Sequence, residues 1–245
     1  MKKISYFTAI LAALGLCACA STKVDTKDMS AEELYNYAYK LLEETHYKKA
    51  AETFEQLELE HPYSRWATKS KLMAAYAYYR DEKYDDAIIA LDRFIRYHPG
   101  NKDIAYAYYL RGLCDYEQMP VADKAQDNTR EAIDSFEQLI VRFPESKYAT
   151  DAKEKMNSGV ENLAAHEMEV GRFYLQKGNH LSALNRFNEV VKRFSDTKQI
   201  EEALYRQVEI YEILGMKKEA ATAAKTLSSK YPDSQWALGA KKLTE

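Results

Sequence analysis

Glycine and proline are scarce in this 245-residue chain, with eight and five residues respectively. A β-sandwich or a dinucleotide-binding α/β enzyme spends more of both on turns and phosphate loops, so neither class is expected. No charge sign dominates: 35 basic and 38 acidic side chains leave −3, and the basic stripe of a nucleic-acid binder is missing. Three cysteines are too few for a disulfide framework. No phosphate-loop, G-x-S-x-G or H-E-x-x-H motif occurs. What is present is 30% charged and 46% apolar residues, which excludes wholesale disorder and a multispanning membrane protein, together with twenty tyrosines.

Behind Lys2 and Lys3, a run of thirteen residues from Ile4 to Leu16 carries no charge. It is too short to span a bilayer comfortably and suits the apolar core of a secretory signal. It ends Leu16-Cys17-Ala18-Cys19, which resembles a bacterial lipobox. Cys17 follows bulky Leu16, whereas Cys19 has Ala18 before it and Leu16 three positions upstream, so Cys19 is the expected acylation site. The alternative is an ordinary cleaved signal with incidental cysteines. The lipobox resemblance implies a signal over 1–18 and a thioether-linked lipid on Cys19; several acyl chains, at about 0.8 kcal/mol per buried methylene, anchor almost permanently. Ala20 rather than Asp after that cysteine implies the outer membrane. Cleavage removes Lys2 and Lys3, giving 33 − 38 = −5. Cys114 is then a lone thiol among apolar neighbours, a packing residue. Residues 19–29 read as the lipidated end and a flexible tether.

From about residue 30 the chain repeats itself. Alanine, bulky groups at +4 and +7, and proline at +12 recur as Ala50, Phe54, Leu57, Pro62; Ala87, Leu91, Phe94, Pro99; and Ala132, Phe136, Leu139, Pro144. Ala183, Phe187 and Val190 follow with Ser195 in the proline position, and Ala220, Ala224, Leu227, Pro232 close the series. Small or compact residues precede these alanines at Ala38, Ala75, Gly112, Gly171 and Val208. This pattern resembles the tetratricopeptide repeat, a helix-turn-helix unit of 34 residues. Small residues let helices A and B of each unit approach, bulky ones fill the gap, and proline ends helix B. The expected fold is therefore all-α: a five-repeat tetratricopeptide solenoid with a short capping helix from Gln235. Capping boxes are expected at Ser30/Glu33 and Asn128/Glu131. Serines in the strings after three of the prolines, Ser64, Ser146 and Ser234, are placed to cap the next A helix.

Alanine spacings of 37, 45, 51 and 37 locate two irregularities. The first, 45 − 37 = 8 extra residues, falls at Met119 to Gln126 and reads as an exposed loop. The second, 51 − 37 = 14, lacks proline and predicts one helix from about Ser146 to Lys177. That helix would join repeats 1–3 (30–145) to a second module (146–245). Ser195 in place of proline is expected to loosen the turn between repeats 4 and 5.

Chemistry is hard to find. Five histidines are scattered, and His61 and His98 sit where a cation would meet a helix C-terminus. Carboxylate pairs such as Glu32/Glu33 fall on solvated faces. No catalytic residue, metal site or cofactor is expected. The tyrosines carry more information. A helices line the concave face of such a solenoid, and their groove positions collect Tyr35, Tyr39, Lys69, Tyr76, Tyr79, Tyr106, Tyr109 and Tyr116. Tyrosine joins large area to a polar tip, which suits a peptide groove. Lys69 and Arg80, with Arg65 as a further candidate, adjoin that surface. The competing reading is that these rings pack between helices.

The strings HPYSRWATKSKLMAAYAYY (61–79), DRFIRYHPGNKDIAYAYYLRGL (92–113) and FPESKYATDAK (143–153) narrow the match. With the lipoprotein signal and five repeats, they resemble the lipoproteins that assemble β-barrels in the outer membrane. That resemblance implies a periplasm-facing, lipid-anchored, non-enzymatic scaffold. It implies repeats 4–5 docking on periplasmic POTRA domains of a barrel-assembly subunit, beside accessory assembly lipoproteins. Repeats 1–3 would then receive the C-terminal signals of unfolded outer-membrane proteins, with basic side chains such as Lys69, Arg80 and Arg111 to meet the chain-terminal carboxylate. A periplasmic repeat lipoprotein regulating peptidoglycan synthesis or hydrolysis would share the same signal and repeats. Replacing Cys19→Ser should abolish metabolic incorporation of labelled palmitate; undiminished labelling would move the anchor away from Cys19.

Overall fold

The computed structural model describes residues 25–245; the expected signal segment 1–18 and Cys19 lie outside the described residues. Among the described residues there are eleven α-helices and no strand: α1 (Ala31–Glu43), α2 (Tyr47–Glu60), α3 (Ala67–Arg80), α4 (Tyr84–Tyr97), α5 (Ile104–Glu117), α6 (Asp127–Arg142), α7 (Ala149–Gln176), α8 (His180–Arg193), α9 (Ile200–Ile213), α10 (Lys217–Lys230) and α11 (Gln235–Thr244). Odd and even helices pair as the A and B helices of five tetratricopeptide units, each helix packs on the next, and α11 caps the last unit against α9 and α10.

The repeat's small-and-bulky alternation is what holds each pair together. Phe54, Leu91, Phe136 and Phe187 at the +4 positions are fully buried, as are Leu57, Leu139, Val190 and Leu227 at +7, with Phe94 nearly so. Each such side chain contributes about 1.5–3 kcal/mol by leaving water. The facing residue must be small. A Cβ added at Gly112 would lie 2.6 Å from the Phe136 ring, and one at Gly171 would lie 2.6 Å from the Phe187 ring. Where the B-helix residue shrinks to Ala224, the A helix carries the larger, fully buried Val208.

Helix ends follow local chemistry. Ser30 Oγ accepts from Glu33 N while the Glu33 carboxylate accepts from Ser30 N, a complete capping box. Four of the turns from A to B carry one left-handed residue: Thr45, Glu82, Gly178 and Gly215. B helices end at His61, His98, Phe143, Phe194 and Tyr231, one residue before the proline or serine position.

Several expectations need correction. Asn128 does not cap α6; Gln126 holds the N-cap position, and Asn128 Nδ2 donates instead to Gln118 O. Ser64 and Ser146 accept backbone N–H groups in the turn, but Trp66 and Tyr148 occupy the N-cap positions, and Ser234 alone of the three is a true N-cap. Ser195 does not loosen its turn. The Phe194 C-cap keeps the backbone of its proline-preceding counterparts, and buried Thr197 Oγ1 donates to Phe194 O at 2.7 Å. The last residues of the expected tether are docked: Thr26 Oγ1 donates to Gln56 Oε1, and Met29 O lies 3.1 Å from His61 Nε2.

The two irregularities turn out to belong together. The insertion before α6 is a built loop lying on α7 rather than a free excursion. Gln126, buried, donates to Val121 O and Lys124 O and accepts from Asn162 Nδ2 of α7. His166 Nδ1 lies 2.6 Å from Ala122 O. The extra length of α7 supplies these partners. Its 28 residues, about 42 Å at 1.5 Å per residue, pack on α6 and on α8. The first part begins with the same motif as α11, so α7 reads as the cap of repeat 3 fused to the A helix of repeat 4.

Gly171→Ala should cost about 1–3 kcal/mol of stability by overpacking. Urea unfolding should show that Gly171→Ala/Phe187→Leu recovers part of the loss; no loss in the single variant would contradict the close approach.

Candidate peptide-binding face

Not every tyrosine expected in the groove is free to bind. Tyr35, 5% exposed, stacks on Trp66 with centroids 4.5 Å apart and tilts against Phe54. Tyr109 stacks likewise on Tyr148 (5.0 Å), and Tyr205 lies tilted against Trp236 (5.2 Å). In each case the A-helix tyrosine lies three residues before the small contact residue (Ala38, Gly112, Val208). Its partner lies four residues after the proline that ends the B helix (Pro62, Pro144, Pro232). These pairs clasp one repeat to the helix that follows it, each at about 0.5–1.5 kcal/mol beyond area burial. Repeats 2 and 4 have Leu72 and Met168 in the tyrosine position, and Asp103 and Gln199 replace the second ring. Trp66, Tyr148 and Trp236 were not singled out by groove positions, although the post-proline strings carry them.

What remains is a set of partly exposed rings. Tyr39 is 43% exposed and stacks on Tyr35, and Lys69 Nζ stands 5.0 Å above the Tyr35 ring. Tyr76 accepts a hydrogen bond from the Arg80 guanidinium at 2.9 Å, and the same group lies over Tyr47. Tyr79, half-buried, tilts against Tyr84, and its hydroxyl lies 3.5 Å from Glu117 Oε1. Tyr106 lies 5.3 Å from Tyr148, and Tyr116 meets the edge of Phe136 beneath Lys155. Tyr109 also reaches across to α7, donating to Asp151 Oδ2, whose other oxygen accepts from Lys155.

Arg111 leaves the set. Its side chain is 18% exposed and points at the B helices, where it meets Asp92 of α4, Asp115 of its own helix, and Glu131 and Ser135 of α6. It lies two residues beyond Tyr109, about 200° around a helix of 3.6 residues per turn, so it faces away from the tyrosines.

Electrostatics favour binding over bond-making. Burial, helped by Glu117, pushes the Tyr79 hydroxyl up to about 12. Burial raises Tyr106 as well, and burial with the Asp151 hydrogen bond raises Tyr109. That hydrogen bond in turn holds Asp151 below the usual carboxylate range. Tyr79, Tyr106 and Tyr109 are therefore neutral phenols that donate and accept. Cys114 is fully buried, and burial pushes its thiol up to about 12, so it offers no nucleophile. His98 does not act as a helix-end cation: burial and nearby Lys71 lower its pKa. Among the described residues no group of acids, histidines and cysteines could hold a metal ion, and no helix is long and apolar enough to cross a membrane.

With this geometry established, comparison with known proteins is informative. Residues 27–227 match the family described as YfiO, outer membrane lipoprotein. The chain is 41% identical to the outer membrane protein assembly factor BamD of Rickettsia prowazekii over 241 residues, covering 96% of this chain and 95% of that protein. It is 35% identical to the same-named protein of Caulobacter vibrioides over 239 residues, covering 96% and 78%. A solved tetratricopeptide repeat protein from Parabacteroides merdae aligns over 87% of this chain and 73% of its own at 16% identity and a TM-score of 0.39. That superposition is too weak to carry an argument, and the repeat assignment rests on the helix pairing above.

The Arg111 cluster makes a pH prediction. Burial outweighs the neighbouring guanidinium and raises Asp115 to about 6 from 3.8. A carboxyl group raised on folding binds its proton more tightly in the native state. Its contribution is therefore full below about pH 4 and is lost as pH rises through about 6. Asp115→Asn should flatten this part of the stability–pH curve measured by urea unfolding. Arg111→Ala, which strands the buried Asp115 carboxylate, should cost about 3 kcal/mol at pH 7 and less at pH 4.

Proposed function

This chain belongs to the outer membrane lipoprotein family, and from that membership we propose that it is a non-enzymatic scaffold of outer membrane protein assembly, anchored through Cys19 and facing the periplasm. Repeats 1–3 receive the C-terminal strands of unfolded outer-membrane proteins. Repeats 4–5 dock on the POTRA domains of the barrel-forming subunit, beside accessory lipoproteins.

The observation that carries the substrate reading is the row of partly exposed rings on three successive A helices: Tyr39 on α1, Tyr76 and Tyr79 on α3, Tyr106 and Tyr116 on α5. An extended strand presents alternating apolar side chains and unpaired backbone groups. Phenol rings cover the first and hydroxyls meet the second, without demanding one sequence. The docking reading is supported by exposed Phe173, Leu181, Ile213, Leu214 and Met216. All five sit at the turns from A to B of repeats 4 and 5, with Lys177, Lys217 and Lys218 beside them. An apolar edge rimmed by charge is the composition of a protein interface.

A synthetic peptide from the C-terminal strand of an outer-membrane barrel protein should bind the full chain. Tyr76→Ala/Tyr79→Ala should weaken that binding about tenfold while the helical circular dichroism is unchanged. Undiminished affinity would remove the groove assignment.

A further inference from the structure

A cleft of about 560 Å³ opens between the start of α5 and the turn that joins α6 to α7. Three cations line it: Lys102, Arg142 and Lys147. Arg142 and Lys147 rest over ring faces, 5.6 Å from the Tyr108 centroid and 5.0 Å from that of Tyr148. No ion pair engages any of the three among the described residues. The N-termini of α5 and of α7 both adjoin the cleft and add positive potential. Asp103 and Glu145 also line it, leaving 3 − 2 = +1. That balance suits one monoanion and disfavours a multiply charged phosphate. Tyr106, Phe143 and Tyr148 add ring surface to its wall.

Tyr106 belongs both to this cleft and to the tyrosine face. Two of the cations expected to meet a terminal carboxylate are already engaged: Arg80 on the Tyr76 and Tyr47 hydroxyls, and Arg111 in the B-helix ion network. Resting on the groove reading above, we propose that this cleft is the end-stop of the groove. Lys102 and Lys147, with Arg142, hold the terminal carboxylate of the bound strand, and Tyr106, Phe143 and Tyr148 take its last apolar side chain. The site thereby measures where a chain ends. An internal strand of the same composition lacks the charge and leaves the cations unsatisfied.

The test uses the full chain and a ten-residue peptide of alternating apolar and polar residues ending in phenylalanine, as the free acid and as the C-terminal amide. The acid should bind about tenfold more tightly than the amide, the size of one charge-assisted contact. Lys102→Ala/Lys147→Ala, both exposed positions, should reduce the acid to the affinity of the amide and leave the amide unchanged. Equal binding of acid and amide, with Tyr76→Ala still weakening both, overturns the end-stop and leaves the groove standing. Discrimination that survives Lys102→Ala/Lys147→Ala overturns the assignment to this cleft. Discrimination lost in that variant while Tyr76→Ala changes nothing supports the cleft and removes the tyrosine face. Binding of neither form overturns both.

Discussion

The close approach of paired helices constrains everything else in this molecule. A phenylalanine ring from each of two B helices sits where a β-carbon on the A helix would be, at Gly112 against Phe136 and at Gly171 against Phe187. Interiors are packed too densely to absorb such an overlap. The A helix must therefore be small wherever the B helix is large, and it enlarges to Val208 only where the B helix shrinks to Ala224. Five units built on this rule stack with their A helices in succession, and that succession creates the face on which the tyrosines lie.

A second interaction divides those tyrosines by role. Ring-on-ring clasps at Tyr35/Trp66, Tyr109/Tyr148 and Tyr205/Trp236 join a repeat to its successor. Tyr39, Tyr76 and Tyr79 keep accessible rings. The clasps matter for the proposed binding too, because a groove spanning several repeats holds its shape only if the repeats cannot rock. The paired insertions serve the same end. The loop before α6 is stitched to the extra turns of α7 through Gln126, Asn162 and His166, which stiffens the junction between repeats 3 and 4.

The proposed function is one of recognition by shape, ring surface and isolated charge. Burial raises the phenols of Tyr79, Tyr106 and Tyr109 further from ionisation, and the buried Cys114 thiol is protonated. A scaffold of β-barrel assembly must accept many client sequences, which favours sequence-tolerant ring faces. It must also hold a rigid frame against its partners, which the stacked repeats provide.

The repeat register was readable because its period is set by local rules: apolar spacing of a helix, small residues at the crossing, and proline at the end. Ala50, Phe54, Leu57 and Pro62 announce helix, core and terminus without reference to distant chain. The long helix through residues 149–176 was legible for the same reason, since nothing in it breaks a hydrogen-bond ladder. The proposed Cys19 anchor likewise rests on sequence alone. Tertiary structure decided what depends on neighbours in space. It turned Arg111 toward Asp92 and Glu131, which are distant in the chain. It paired Tyr109 with a ring 39 positions away, and it brought Lys102 and Lys147 to one cleft. Helical periodicity fixes which way a side chain leaves its own helix. The partner it finds is fixed by how the next repeat is packed.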